Sequence, residues 1–246
     1  MSDRSQPVPK LSPRTEFFAG ARDMFPLIVG AIPFGIIFGT LAITSGLSPI
    51  ATLAMSAIVF AGSSQFIAAG MMAAGSGWLL IVITAFVVNL RHLLYAVSLV
   101  PYVKALPQKW KIPLAFWLTD EAYAVAIRRY ETPDNTFLKS WKHWYYLGAA
   151  LTMYANWQLC TFIGITVGQR IPNAAEWGLD FAMSVTFIGM VIPYVKNKPM
   201  AAAVVVSGVM ALVAYSLPHK LGLMVAAICG IAAGVVVERM GEQQQV

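Results

Sequence analysis

The sequence predicts an all-α, polytopic integral membrane protein. Of its 246 residues, 58% are hydrophobic and 11% are charged, and its mean hydropathy is +0.68. Soluble domains carry roughly 25% charged residues, so a soluble fold of this size could not cover its surface. The apolar residues also fall into runs close to the roughly 20 residues that a spanning helix needs.

The apolar runs give seven or eight hydrophobic segments, depending on how the third and the fourth are counted. The third is interrupted by Arg91, and the fourth is short and contains Asp120 and Glu121. The segments lie at about residues 25–44, 50–73, 78–100, 112–127, 144–168, 177–195, 199–217 and 220–237.

Short connections predict a single transmembrane domain at residues 25–238. It lies between a cytoplasmic N-terminal tail (1–24) and a polar C-terminal tail (239–246). The polar stretch at 128–143 separates two candidate repeat halves, at about 25–127 and 144–238.

The first apolar run begins at about Phe25 with no A-x-A site at the expected place, so we expect an uncleaved anchor. Most Lys and Arg residues fall inside if the N-terminus is cytoplasmic. Lys104, Lys109 and Lys111 fall on the other side. We therefore expect at least one of segments two to four to be broken or re-entrant.

Residues 38–66 and 163–190 share a plan of a Gly-bearing helix, a Pro-containing turn and a helix with an Ala-Met-Ser patch. This pattern fits an internal repeat, which many transporters contain, or the chance similarity of apolar sequences. GxxxG patterns predict close helix packing; they lie at Gly35/Gly39, Gly164/Gly168 and Gly230/Gly234.

The first polar cluster is "FAGSSQF", in the middle of segment two. Its residues Gly62, Ser63, Ser64 and Gln65 form a poor run for a helix. Such a run can unwind a helix and leave backbone N–H groups that bind a carboxylate. The alternative is a packing face of small residues whose hydroxyls bond back to carbonyls.

The second cluster, "NLRHLLY", places Asn89, Arg91 and His92 in segment three. A charge at a helix centre costs about 2.5–3.5 kcal/mol on insertion scales, so we expect Arg91 to face inward at a break between two half-helices. The alternative is that Arg91 snorkels to an interface from a helix end at Val88. His92 is a candidate for gating or proton handling.

The third cluster, "LTDEAYA", contains Asp120 and Glu121. One acid could pair with Arg91, and the other could bind an ammonium group or carry a proton. The alternative is that Thr119–Asp120–Glu121 starts a helix, with Thr119 or Asp120 as its cap. Asp180 is a fourth candidate, or it marks the start of segment six.

No soluble-enzyme signature is present: the sequence has no Walker A, HExxH or GxGxxG motif. We predict no enzymatic activity, no cofactor and no metal site. The net charge of +6 is ordinary for basic cytoplasmic loops, and we do not expect nucleic-acid binding. Cys160 and Cys229 lack metal-ligand spacing and are expected to pack.

Taken together, these clusters resemble the AzlC family, the large subunit of bacterial branched-chain amino acid exporters. The second serine of "GSSQ", Ser64, stands where we expect alanine in most members. The resembling stretches span nearly the whole chain: "PFGIIFG" (33–39), "FAGSSQF" (60–66), "VNLRHLLY" (88–95), "LTDEAYA" (118–124) and "GLDFAMSVTFIG" (178–189).

The resemblance implies a multi-pass permease in the lipid bilayer of the bacterial inner membrane. It would export valine, leucine, isoleucine or similar amino acids such as methionine, with ion or proton coupling. It also implies a small hydrophobic AzlD-like partner subunit.

The polar clusters fit an amino acid substrate, which needs an anion site, a cation site and an apolar pocket. Residues 62–65 or Arg91 could take the carboxylate, and Asp120 or Glu121 could take the ammonium or couple a proton. Phe60, Phe66 and Phe181 could line the side-chain pocket. The alternative function is a non-transporting membrane scaffold or assembly subunit whose polar clusters bind a partner.

Overall fold

The structure is a computed structural model that describes residues 12–131, 141–168, 195–217 and 221–243, with the single residues 188 and 192. Within these ranges it contains nine α-helices and no strand, as the all-α prediction requires. In chain order the helices are α1 (Pro13–Thr44), α2 (Pro49–Val59), α3 (Gly62–Ala73), α4 (Trp78–Val103), α5 (Gln108–Phe116), α6 (Asp120–Tyr130), α7 (Lys142–Gly168), α8 (Lys198–Val213) and α9 (Leu221–Gln243).

Two helices of the described ranges, α1 and α4, are long and apolar enough to cross a membrane, and α2 and α8 are shorter apolar helices. The outer face of α4 consists of large apolar side chains that suit lipid: Trp78, Leu79, Val82, Phe86, Leu93, Leu94 and Val97 are all exposed. Much of segment six lies outside the described residues, so the number of crossings remains a prediction.

The first helix begins at Pro13, well before the apolar run at about residue 25. Ser12 accepts a hydrogen bond from the Thr15 amide, and the Thr15 side chain bonds back to the Ser12 backbone. This capping box, with proline in the first turn, fixes the start of the helix. Residues 13–24 of the predicted N-terminal tail therefore belong to α1.

Helices α1 and α7 pack closely and run parallel. Gly20 lies against the Tyr145 carbonyl at one end, and Gly39 lies against Gly164 at the other. A Cβ at any of these glycines would overlap the facing backbone, so only glycine permits this approach. The packing predicted for the GxxxG glycines is confirmed at Gly35, Gly39 and Gly164, and also at Gly230 and Gly234, which face α8.

Segment two is broken where "FAGSSQF" predicts it. Helix α2 ends at Val59, Phe60 takes a left-handed conformation with φ 40°, and Ala61 is extended with φ −137°. A left-handed φ is uncommon for a bulky residue, and the Phe60 ring packs at 4.8 Å from that of Tyr154. The break is thus held by packing in a sequence that already disfavours helix.

Segment four is also broken, because α5 ends at Phe116 and α6 begins at Asp120. Segment three, in contrast, is one continuous helix, and the expected break at Asn89–His92 is wrong. Asn89 and Arg91 find partners on α3 and α6, and His92 contacts the Asn89 carbonyl of its own helix, so these side chains are accommodated without a break in α4. The structure therefore places two broken helical segments, α2–α3 and α5–α6, around the unbroken α4.

Within the described residues, a broken pair of short helices is followed by a long unbroken helix twice, first as α2–α3–α4 and then as α5–α6–α7. The repeat expected from residues 38–66 and 163–190 has a different register. Most of its second copy lies outside the described residues, so that repeat stays a prediction.

Candidate functional site

Both helix breaks open onto one cavity of about 50 Å³ between α1, α3, α4, α6 and α7. The side chains around it divide into a polar group and an apolar group. The polar group is Ser63, Arg91, His92, Thr119, Asp120 and Glu121, and the apolar group is Ala31, Phe34, Phe60, Phe66, Met153 and Trp157. The cavity thus joins residues of three sequence clusters that lie far apart in the chain.

Arg91 faces this cavity. Its Nη1 lies 2.8 Å from Asp120 Oδ2, and its Nη2 donates a short hydrogen bond to Ser63 Oγ. The side chains of Arg91 and Asp120 are only 30% and 26% exposed. The helix end at Val88 that the snorkelling alternative requires is absent, and the predicted pairing of Arg91 with one acid is confirmed.

The start of α3 presents backbone N–H groups without a side-chain cap. Ala61 occupies the N-cap position and has no side chain that could accept a hydrogen bond. The next two residues, Gly62 and Ser63, line the cavity. Because the first amides of a helix lack intrahelical acceptors and carry the positive end of its dipole, this end attracts an anion.

The start of α6, in contrast, is capped and carries acidic side chains. Thr119 is the N-cap and its hydroxyl accepts a hydrogen bond from the Ala122 amide at 3.2 Å. Asp120 and Glu121 form the first turn. The helix-start alternative is therefore correct and coexists with the ion pair, since Asp120 also binds Arg91. In the described part of the chain, Glu121 has no ion-pair partner.

Ser64, Gln65 and Asn89 lie behind the cavity wall. Ser64 Oγ donates to Asn89 Oδ1 at 2.6 Å, and Trp157 Nε1 donates to Gln65 Oε1 at 3.1 Å. Ser64 and Gln65 are fully buried, and Gln65 Nε2 has no hydrogen-bond partner among the residues that the structure describes. These residues tie α3 to α4 and α7, whereas Gly62 and Ser63 alone of the predicted run reach the cavity.

His92 lines the cavity, with its Nδ1 3.2 Å from the Asn89 carbonyl oxygen on the preceding turn. This contact turns the imidazole toward its own helix, beside Arg91. The remaining candidate, Asp180, and the aromatic candidate Phe181 lie outside the described residues.

Helix α7 supplies side chains that donate hydrogen bonds to the carbonyls at the ends of α2 and α5, a role that the sequence did not predict. Tyr154 Oη donates to the Ala57 carbonyl at 3.1 Å, and Gln158 Nε2 donates to the Ser56 carbonyl at 3.0 Å. Tyr146 Oη donates to the Leu114 carbonyl at 3.0 Å. The last carbonyls of α2 and of α5 need such donors because each helix stops inside the bundle.

These partners could be predicted only in part. Tyr154 and Gln158 are polar residues in an apolar segment, which marks them as unusual, but neither lines the cavity. Trp157 does line it, and the only signal for this residue is its place between Asn156 and Gln158.

The AzlC protein family model matches residues 26–171, which include every cavity residue described above. Inner membrane protein YgaZ of Escherichia coli K12 is 28% identical over 237 residues, covering 94% of both chains. An uncharacterized membrane protein of Archaeoglobus fulgidus is 30% identical over 228 residues, covering 89% of this chain and 94% of its own.

The branched-chain amino acid transport protein AzlC of Bacillus subtilis is 28% identical over 193 residues, covering 76% of this chain and 73% of its own. No solved structure matches the chain. The relatives are membrane proteins, and the family match covers more than half of the sequence. The chain is a membrane protein that belongs to the AzlC family.

Proposed function

We propose that the chain is the substrate-binding subunit of a secondary transporter. It would export branched-chain or related neutral amino acids, methionine among them, across the inner (plasma) membrane, with ion or proton coupling and a small AzlD-like subunit as partner. The name of the Bacillus subtilis relative supports the substrate class. The cavity supports it independently, because its lining combines basic, acidic and apolar side chains, as an amino acid ligand would require.

The observation that carries the proposal is that the N-terminal ends of α3 and α6 line the same cavity. The end of α3 offers uncapped backbone amides, and the end of α6 offers acidic side chains. The uncapped start of α3, at Gly62 and Ser63, suits a carboxylate, and Glu121 in the first turn of α6 suits an ammonium. Discontinuous helices in transporters bind the charged ends of substrates in this manner. An α-amino acid carries both charges on one carbon, so it can bridge the two sites.

Arg91 has a supporting role in this proposal. Its guanidinium is already bound to Asp120 and Ser63, so the substrate carboxylate would not need to displace a partner to reach the α3 amides. The positive charge nearby still favours an anion at that point. Asp120 neutralises the arginine, which leaves Glu121 as the acid for the ammonium or for a coupled proton.

The apolar half of the cavity would hold the aliphatic side chain. Phe34, Phe60 and Phe66 form one aromatic wall, and Met153 and Trp157 line the side of α7. A cavity of about 50 Å³ has room for a few water molecules. A branched side chain therefore requires the walls to separate, and the two helix breaks are the natural points of movement.

The scaffold alternative is less well supported. A polar cluster that binds a partner subunit would lie on an outer face of the bundle. Arg91 and Asp120 are instead mostly buried and adjoin aromatic walls. A solute that enters a cavity fits this arrangement better than a protein surface does.

Counterflow in liposomes tests the proposal. The purified chain, alone and with its small partner subunit, would be reconstituted and loaded with leucine, isoleucine, valine or methionine under a pH gradient. We expect uptake of at least one of these amino acids, and we expect Arg91→Ala and Asp120→Asn to abolish it while the protein still inserts. Lys104→Gln, a change of an exposed residue at the end of α4, is the control.

Two results would count against the proposal. Wild-type transport by Arg91→Ala or Asp120→Asn would reject the site. A correctly assembled complex that moves no amino acid would favour the scaffold function.

A further inference from the structure

Helices α1 and α7 define two sides of the helix bundle. They run parallel, with Gly20 against Tyr145 near their starts and Gly39 against Gly164 near their ends. The side on which both helices begin is called the N-terminal side, and the other is called the opposite side. The short helices α2, α3, α5 and α6 have 11, 12, 9 and 11 residues, about half of the roughly 20 that a spanning helix needs. Their contacts therefore decide whether each pair crosses the membrane or turns back.

Helix α5 enters the bundle from the N-terminal side. Near its start, the Trp110 ring lies 4.4 Å from that of His143, in the first turn of α7. At its end, the Phe116 ring lies 6.5 Å from that of Tyr154, about three turns further along α7. Helix α5 thus runs inward alongside α7 and ends in the middle of the bundle.

Helix α6 returns to the N-terminal side. It starts at the cavity, where Asp120 binds Arg91. At its last residue, Tyr130 Oη donates a hydrogen bond to the Lys142 carbonyl at 2.9 Å, at the start of α7. The two ends of the α5–α6 pair therefore lie on the same side of the bundle.

Helix α2 enters the bundle from the opposite side. It begins shortly after α1 ends there. Ser56 Oγ lies 2.9 Å from Thr161 Oγ1, and the next carbonyl, that of Ala57, accepts the hydrogen bond from Tyr154. Because Tyr154 also contacts the end of α5, the inner ends of α2 and of α5 meet at one residue of α7.

Helix α3 returns to the opposite side. Ser64 in its first turn bonds to Asn89, which lies midway along α4. The last residues of α3 lead to Trp78, the first residue of α4. The other end of α4 lies on the N-terminal side, because Lys142 Nζ lies 5.1 Å from the centre of the Tyr102 ring. Trp78 and the end of α3 therefore lie on the opposite side.

We propose that α2–α3 and α5–α6 are re-entrant hairpins that enter the membrane from opposite sides. Their tips line the cavity, so one hairpin lies between the cavity and each side of the membrane. The units α2–α3–α4 and α5–α6–α7 then have opposite orientations in the membrane, as in transporters that contain inverted repeats.

The basic residues support this topology. Lys104, Lys109 and Lys111 lie around the start of α5, so the two hairpins place them on the N-terminal side together with Arg128 and Lys142. A topology of eight crossings leaves the first three lysines on the opposite side. Since basic residues concentrate on the cytoplasmic side, the re-entrant topology agrees better with a cytoplasmic N-terminus.

Cysteine labelling of the full-length chain in membranes tests the proposal. Both native cysteines, Cys160 and Cys229, would be replaced by alanine, and single cysteines would be introduced one at a time. A membrane-impermeant maleimide would be applied to right-side-out and to inside-out vesicles. A permeant maleimide would show that each cysteine reacts. The labelling needs no substrate, so its result is independent of the transport proposed above.

The introduced cysteines occupy exposed positions at helix ends: Arg14, Thr44, Ala74, Ala105 and Glu131. We expect Ala105→Cys and Glu131→Cys to react in the same vesicles as Arg14→Cys. Thr44→Cys and Ala74→Cys should react in the vesicles of the other orientation and lose their labelling in the first. Opposite labelling of Arg14→Cys and Thr44→Cys is the internal control, since α1 separates them.

Two results would overturn the proposal. Reaction of Ala74→Cys in the same vesicles as Arg14→Cys would show that α2–α3 crosses the membrane. Reaction of Ala105→Cys and Glu131→Cys in vesicles of different orientation would show that α5–α6 crosses it.

Discussion

Arg91 on α4 and Asp120 at the start of α6 form an ion pair of 2.8 Å beside the break between α2 and α3. Through Ser63, the same guanidinium also contacts α3. One residue of the unbroken helix α4 therefore contacts both broken helical segments. This contact explains why the sequence tolerates a charge in the middle of an apolar segment.

The ion pair should show strong coupling in a double-mutant cycle. Arg91→Ala leaves the Asp120 carboxylate in a mostly enclosed site, and Asp120→Ala leaves the guanidinium there. We expect a coupling free energy of about 0.5–3 kcal/mol, with the double variant more stable than the sum of the single effects predicts. Thermal or denaturant unfolding in detergent would measure it, and additive effects would show that the two groups do not interact.

Glu121→Gln should separate substrate binding from structure. The residue lies outside the Arg91–Asp120 pair, so the variant should keep wild-type abundance and thermal stability. Transport should fall by about tenfold or more, because an amide replaces the acid proposed for the ammonium or the proton. Glu131→Gln, at the exposed end of α6, is the control. Full transport by Glu121→Gln would remove Glu121 from the site.

The close packing of α1 on α7 predicts a sharp difference between two glycines of α1. A Cβ at Gly39 would overlap the Thr161 carbonyl oxygen, whereas a Cβ at Gly30 would meet no atom within 4 Å. We expect Gly39→Ala to destabilise the protein by about 1–3 kcal/mol and Gly30→Ala to leave it unchanged. Unfolding midpoints in detergent would measure both, and equal midpoints would contradict this account of the packing.

The contribution of α7 to stabilising the break at the end of α2 can be tested by removing one hydroxyl group. Tyr154→Phe keeps the ring that packs on Phe60 but removes the donor to the Ala57 carbonyl. We expect a loss of about 1–3 kcal/mol, since a helix-end carbonyl inside the bundle loses its partner. The control is Tyr215→Phe, at a residue that is 81% exposed. A stability for Tyr154→Phe equal to that of this control would show that the bond is dispensable.

Local sequence chemistry correctly predicted the break in segment two and wrongly predicted a break in segment three. The Gly-Ser-Ser run of "FAGSSQF" lowers helix propensity whatever its neighbours are, so the break after Val59 was predictable. At Asn89–His92 the expected break is absent, and Asn89 and Arg91 find partners at Ser64 and Asp120 instead. Those partners lie on other helices, and a local pattern does not reveal them.

The role of α7 shows the same limit more clearly. Tyr146, Tyr154 and Gln158 bond to carbonyls 32, 97 and 102 residues earlier in the chain. Their polarity identifies them as unusual in an apolar segment. Only the fold determines that they hold the ends of two broken helices and do not line the cavity.

Ligand binding by the purified protein tests the central claim most directly. Leucine, leucine methyl ester and N-acetylleucine share one side chain, but the ester lacks the carboxylate and the acetyl derivative lacks the ammonium. We expect leucine alone to raise the unfolding temperature of the wild type, and Glu121→Gln to abolish that shift. Equal stabilisation by leucine and by either derivative would contradict a site that binds the two charged ends of an amino acid.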